Sequence, residues 1–152
     1  LGMPRSEVLG IQLGAILMLA VGIIVAGWWS DIQSASKALI AGCAAAIPLG
    51  FVFGAGFDPA APELLFVVLA ISLLLMGFAY GPLGAWLTAL FPPRVRYTGS
   101  SFAFNVGGIL GGAMAPIAAQ YLVSSHGVGA VGLYLSAAGF ISLIGLVWLA
   151  RD

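Results

Sequence analysis

The sequence predicts an all-α integral membrane protein with five transmembrane helices. Five apolar runs, near 8–29, 38–57, 63–90, 99–123 and 128–150, reach the roughly twenty residues that cross a bilayer. The charged residues Arg5, Glu7, Asp31, Lys37, Asp58, Glu63, Arg94, Arg96, Arg151 and Asp152 all fall outside those runs or at their ends. That partition follows from the cost of placing a charge in lipid. The runs are continuous rather than alternating, which selects helices over a barrel. Composition agrees: 62% hydrophobic residues, 7% charged residues and a mean hydropathy of +1.15 leave too little polar surface to cover a water-soluble globule. Residues 1–152 read as a single transmembrane domain.

The same composition excludes several function classes. A formal net charge of zero gives no reason to expect nucleic acid as a partner. Cys43 is the one cysteine, so no intrachain disulfide forms and no redox compartment follows from it. There is no H-E-x-x-H, no G-x-S-x-G, no Cys/His cluster and no carboxylate pair. The chain therefore reads as a non-enzyme, with no metal or cofactor expected. The first apolar run is too long for a signal peptide, lacks a basic leader and is followed by further spans. Leu1 stands where a Met would start a chain, so a truncated or processed chain is expected.

The basic residues predict orientation. Lys37 follows the first run, Arg94 and Arg96 the third, and Arg151 the fifth; only Arg5 stands on the other face. Basic loops face the cytoplasm. The N-terminus is expected outside and the C-terminus inside, in a plasma or bacterial inner membrane, with lipid as a partner.

The first run holds Gly10, Gly14, Gly22 and one polar residue, Gln12, with Trp28 and Trp29 at its inner end where indoles favour the interface. Gln12 has two readings: a hydrogen bond to a neighbouring helix, or a substrate contact facing a cavity. The second run carries little polarity beyond Cys43, has a helix-bending Pro48, and reads as lipid-facing scaffold. Asp58–Pro62 reads as a tight outer turn, with Pro62 suited to the first turn of the next helix.

From Glu63 to Leu90 the third run is 28 residues, about 42 Å as a helix, so it must tilt, bend or protrude. Gly81-Pro82 supplies the bend and Phe91-Pro92-Pro93 the end. Tyr80, Trp86 and Thr88 are its polar-capable residues, and Tyr80 reads either as a cavity contact or as packing against the next helix. Arg94 and Arg96 fill the loop, and the fourth run opens near Gly99. It carries Asn105, a pore-facing or helix-bonding amide, then Gly107, Gly108, Gly111, Gly112 and Pro116. Overlapping G-x-x-x-G spacings predict a close helix–helix approach there. Gln120 lies nearer its outer end. The fifth run is almost wholly apolar, and His126 lies in the loop before it, where solvation is the expected state.

The stretch YGPLGAWLTALFPPRVRYTGSSFAFNVGGILGGAMAPIAAQY resembles the major facilitator superfamily. Within it, the resemblance is to the metabolite:proton symporters: the shikimate, proline/betaine, citrate and 2-oxoglutarate carriers. It resembles that family's loop between helices ten and eleven, followed by helix eleven. LGMPRSEVL is similar to the outer loop before helix eight. GWWSDIQSASK stands where the family repeats G-x-L-[SA]-D-R-x-G-R-R; Gly27, Ser30 and Asp31 match, while the motif's arginines are replaced by Ile32, Ala35 and Ser36. The family's glutamate two residues before Phe-Pro is Ala89 here, which removes the ion pair it would make with Arg94 or Arg96.

The resemblance implies helices eight to twelve, the last five of a twelve-helix carrier with a major-facilitator-type C-terminal bundle. It implies a small polar metabolite as substrate, an organic acid or zwitterion, moved together with protons by alternating access against the missing N-terminal helices. Gln12, Tyr80 and Asn105 are the candidate substrate contacts. Gly27, Asp31, Gly81, Pro82, Arg94, Arg96, Gly99, Gly108, Gly112 and Pro116 are the candidate conformational residues. No Asp, Glu or His lies inside a run, so a proton site is expected in the rest of the carrier. The alternative reading is a small membrane scaffold or assembly subunit that associates through its glycine faces.

Overall fold

The computed structural model describes residues 5–55 and 62–149. The outer turn at 58–61 and the charges at Arg151 and Asp152 lie outside the described residues. Six α-helices follow in order: α1 (Arg5–Ile32), α2 (Ala35–Ala55), α3 (Pro62–Tyr80), α4 (Leu83–Ala89), α5 (Arg96–His126) and α6 (Val128–Leu149). Five spans are long and apolar enough to cross a membrane, with α3 and α4 together forming one of them. All described elements are helical, as the continuous apolar runs require.

α1 and α3 run parallel. Gly14 faces the Phe66 ring, Gly22 faces the Leu74 carbonyl and the Phe78 amide, and Gly77 faces the Leu19 carbonyl. A Cβ on Gly22 or Gly77 would collide with backbone, so these two glycines let the helices meet main chain to main chain. α2 and α6 run antiparallel. Gly50 sits against Gly132 and Ser136, and Gly139 against Cys43, Ala46 and Ile47. Across this seam the Ser136 hydroxyl donates to the Ile47 carbonyl at 2.7 Å, and Ser136 is only 6% exposed. α2 also packs against α1, α3 and α4, and Ala38, Leu39, Gly42 and Gly50 are buried on it. The second span, expected as lipid-facing scaffold, therefore also admits neighbours on several sides through its small residues.

α5 differs. Among the described residues it packs mainly on α4 and α6, and Ser100 is its one buried residue. A Cβ added at Gly107, Gly108, Gly111 or Gly112 would meet nothing within 4 Å. The close approach predicted along this stripe is not made by the described residues; it is made at Gly22–Gly77 and Gly50–Gly132 instead. The many exposed large apolar side chains elsewhere are compatible with a membrane setting, where lipid is as apolar as leucine.

Two stability predictions follow from these seams. Gly22→Ala or Gly77→Ala should destabilise the membrane-embedded protein by about 1–3 kcal/mol through overpacking, whereas Gly10→Ala, with open space around it, should be near neutral. Detergent-titration unfolding read by Trp fluorescence distinguishes the cases, and equal effects at Gly10 and Gly77 would contradict the packing. Ser136→Ala should cost about 0.6–1.7 kcal/mol in the same assay, between the average and the largest values known for interhelical polar contacts.

Candidate functional site

The site is built on the break between α3 and α4. Pro82 has no N–H, so the Phe78 carbonyl loses its helical donor. The Gly81 amide still donates to the Gly77 carbonyl at 2.9 Å and the Trp86 amide to the Pro82 carbonyl at 3.0 Å. Pro82 is buried and keeps helical angles, φ −80 and ψ −8, so the chain bends without opening into a loop. Gly81 is needed for proximity: a Cβ there would lie 2.9 Å from the Ile23 carbonyl oxygen and 3.3 Å from the Ala26 methyl carbon. The helix break at Gly81-Pro82 is thus held against α1.

Tyr80 ends α3 and is 51% exposed. Its ring stands edge-on to Phe104 of α5, with centroids 6.2 Å apart and planes at 68°, a favourable aromatic geometry. Asn105 follows Phe104 and is exposed; its Nδ2 donates to the Ser101 carbonyl at 2.8 Å. The structure therefore brings Tyr80 and Asn105 into one neighbourhood, bridged by Phe104. Gln12 is elsewhere. Gly14 is level with Phe66, and Tyr80 lies fourteen residues beyond Phe66, about 21 Å along the helix axis. One small molecule does not span Gln12 and Tyr80 in this arrangement.

Two clefts open here. An apolar crevice of about 440 Å³ lies between α2, α3, α4 and α6, bordered by Cys43, Met76, Tyr80 and Trp86. A smaller cleft of about 220 Å³ lies between α4 and α5, bordered by Gly84, Thr88, Ser100, Ser101, Phe104 and Asn105. No charged side chain lines either one, so both offer neutral chemistry. Ser100 and Ser101 carried no weight in the sequence reading. The available signal was the spacing of Ser101 and Asn105, four apart on one helix face.

The remaining candidates sit apart. Gly27 has open space around it, and Asp31 is exposed in the last turn of α1. Arg94 is exposed in the turn before α5. α5 starts at Arg96, three residues before Gly99, so Arg96 belongs to the helix rather than the loop. Its Nε donates to the Phe91 carbonyl at 3.2 Å, which fastens the end of the α4 segment to the start of α5. Gly99 lies under the Phe91 ring, where a Cβ would collide. Gly108 and Gly112 face open space, and Pro116 lies exposed within α5. His126 ends α5 and is exposed. No group of three or more His, Cys, Asp or Glu able to hold a metal exists among the described residues.

No protein-family model and no solved structure matches the chain. Curated proteins do. The chain is 41% identical over 148 residues to the inner membrane metabolite transport protein YhjE of Escherichia coli, covering 97% of the chain and 34% of that protein. It is 31% identical over 147 residues to a Haemophilus influenzae protein named for metabolite transport, covering 97% and 34%. It is 30% identical over 146 residues to the cis,cis-muconate transport protein of Acinetobacter baylyi, covering 93% and 33%. The chain thus spans about a third of the length of the curated relatives it matches. Matched along nearly all of its own length, this chain is a relative of bacterial metabolite transport proteins, as the resemblance read from its sequence implies.

Proposed function

We propose that this chain forms helices eight to twelve of a twelve-helix secondary transporter that carries a small polar metabolite, an organic acid or zwitterion, together with protons. The observation that carries the reading is the match to metabolite transport proteins over 97% of the chain but 34% of their length. The packing supports it. α1 packs on α2 and α5 on α6, with α2–α6 joining the two pairs; in this reading the two pairs are equivalent members of a repeat. Under that equivalence, the contacts of α3 with α1 and with α2 have no counterpart on α5 and α6. One further helix, placed against α5 and α6, completes an inverted pair of three-helix repeats, the construction common in such carriers. The open glycine stripe at Gly107–Gly112 is where it, or the other half of the carrier, would dock.

In this reading the bundle rocks against its partner half, and the α3–α4 bend with Tyr80 and Asn105 faces the substrate path. Broken helix is tolerated at membrane depth only against protein or a watery cavity. Proton exchange belongs to the partner half: Asp31 lies in the last turn of α1 and Glu63 in the first turn of α3, and Asp58 stands outside the apolar runs of the sequence. The N-terminus of this segment lies outside and its C-terminus in the cytoplasm, since Lys37, Arg94 and Arg96 share one end of the bundle.

The test is reconstitution of the complete product of this gene into liposomes. An inward proton gradient should drive saturable uptake of at least one of shikimate, proline, 2-oxoglutarate and cis,cis-muconate, and a protonophore should abolish it. Absence of both uptake and counterflow would favour the scaffold reading. The triple change Asp31→Asn, Asp58→Asn and Glu63→Gln should leave proton-driven uptake in place; loss of proton flux with exchange intact would put coupling in this half. Cysteines at Ser34 and Ser125 should label from opposite sides, Ser125 from outside. Labelling of both from one side would overturn the topology.

A further inference from the structure

The cleft between α4 and α5 has a chemical bias that the transporter reading alone does not supply. Three of its four polar side chains, all but Ser101, have already used donor hydrogens on their own helices. The Thr88 hydroxyl donates to the Ala85 carbonyl at 3.0 Å. The Ser100 hydroxyl, 8% exposed, donates to the Arg96 carbonyl at 2.6 Å. One Asn105 amide hydrogen goes to the Ser101 carbonyl at 2.8 Å. What these three groups retain is mostly acceptor capacity: hydroxyl lone pairs and the Asn105 carbonyl oxygen.

A carboxylate, which only accepts, finds the Ser101 hydroxyl and one Asn105 N–H but no cation to offset its charge. An ammonium finds acceptors but no carboxylate to offset its charge, because no acidic residue lines the cleft, and an unpaired charge away from water is costly. A neutral hydroxyl suits the lining on both counts. Gly84 leaves one wall without a side chain, and Leu87 and Phe104 add apolar surface beside the polar groups.

Resting on the transporter reading, we propose that Thr88, Ser100 and Asn105 form a subsite that binds a hydroxyl-bearing part of the transported metabolite. The charged end of the same molecule is then read outside this cleft. Thr88 and Ser100 are specificity-determining residues of that subsite.

The test uses the complete gene product, purified in lipid nanodiscs, with shikimate and its counterpart without hydroxyls, cyclohex-1-ene-1-carboxylate. The two share ring and charge. Shikimate should bind at least about tenfold more tightly, since each hydrogen bond of this kind is worth about 3- to 10-fold. Thr88→Val and Ser100→Ala, which preserve shape, should each reduce that ratio by about 3-fold or more. Gly84→Val, which fills the cleft where a Cβ now meets nothing within 4 Å, should abolish the preference. Equal binding of the two probes, or an unchanged ratio in the variants, overturns the hydroxyl subsite and leaves the transporter reading standing. Binding of neither probe by a protein that still exchanges another of the tested metabolites does the same. Binding of neither, with no transport of any, overturns both.

Discussion

The contact on which the rest of the structure depends is that of α1 with α3 at Gly22 and Gly77. In lipid there is no hydrophobic drive to press two helices together, so association rests on close packing and polar contacts. A side chain at either glycine would hold the backbones apart. Their closeness fixes how far α3 leans on α1 and carries Gly81 against Ile23 and Ala26 at the bend. The bend in turn sets where Tyr80 ends and where α4 departs toward α5. Position at the site is therefore a consequence of a seam well away from it.

The second seam, α2 with α6, uses a different mixture: small residues plus one buried hydroxyl, Ser136, bonded to the Ile47 carbonyl. The two seams, joined by the packing of α2 on α3, lock four helices, α1, α2, α3 and α6, while α5 is attached mainly through α4 and α6. α5 carries the strongest glycine pattern in the chain but the weakest packing. That contrast is physical rather than paradoxical, since a glycine stripe records that something approaches closely without saying whether it belongs to the same segment. The share of the relatives' length that this chain spans is consistent with an external occupant.

Much of this was legible in the sequence. The spans followed from charge partition, and the bend from Gly81-Pro82, because a missing N–H has a local effect that no tertiary contact repairs. What was not legible depended on which helix lies beside which. Gly22 and Gly77 look no different in sequence from Gly10, yet only the first two meet backbone. Arg96 reads as a loop charge; its bond to the Phe91 carbonyl exists because Pro92 and Pro93 turn the chain back on itself. Gln12, Tyr80 and Asn105 are equally polar on paper, and only the parallel register of α1 and α3 separates the first from the other two. The α4–α5 cleft was missed because Ser100 and Ser101 are ordinary helix-start residues until Thr88 faces them.

The most direct measurement of the central seam is a cysteine pair at Ala26 and Gly81, with Cys43 replaced by Ala, in the membrane-embedded protein. A Cβ at Gly81 lies 3.3 Å from that of Ala26, close to disulfide geometry once the helices adjust slightly. Mild oxidation should protect both thiols from a polymer-linked maleimide, giving no gel shift, while reduction restores a double shift. Full modification of both cysteines after oxidation would mean that α3 does not meet α1 in this register, and the placement of the bend, Tyr80 and the α4–α5 cleft would fall with it.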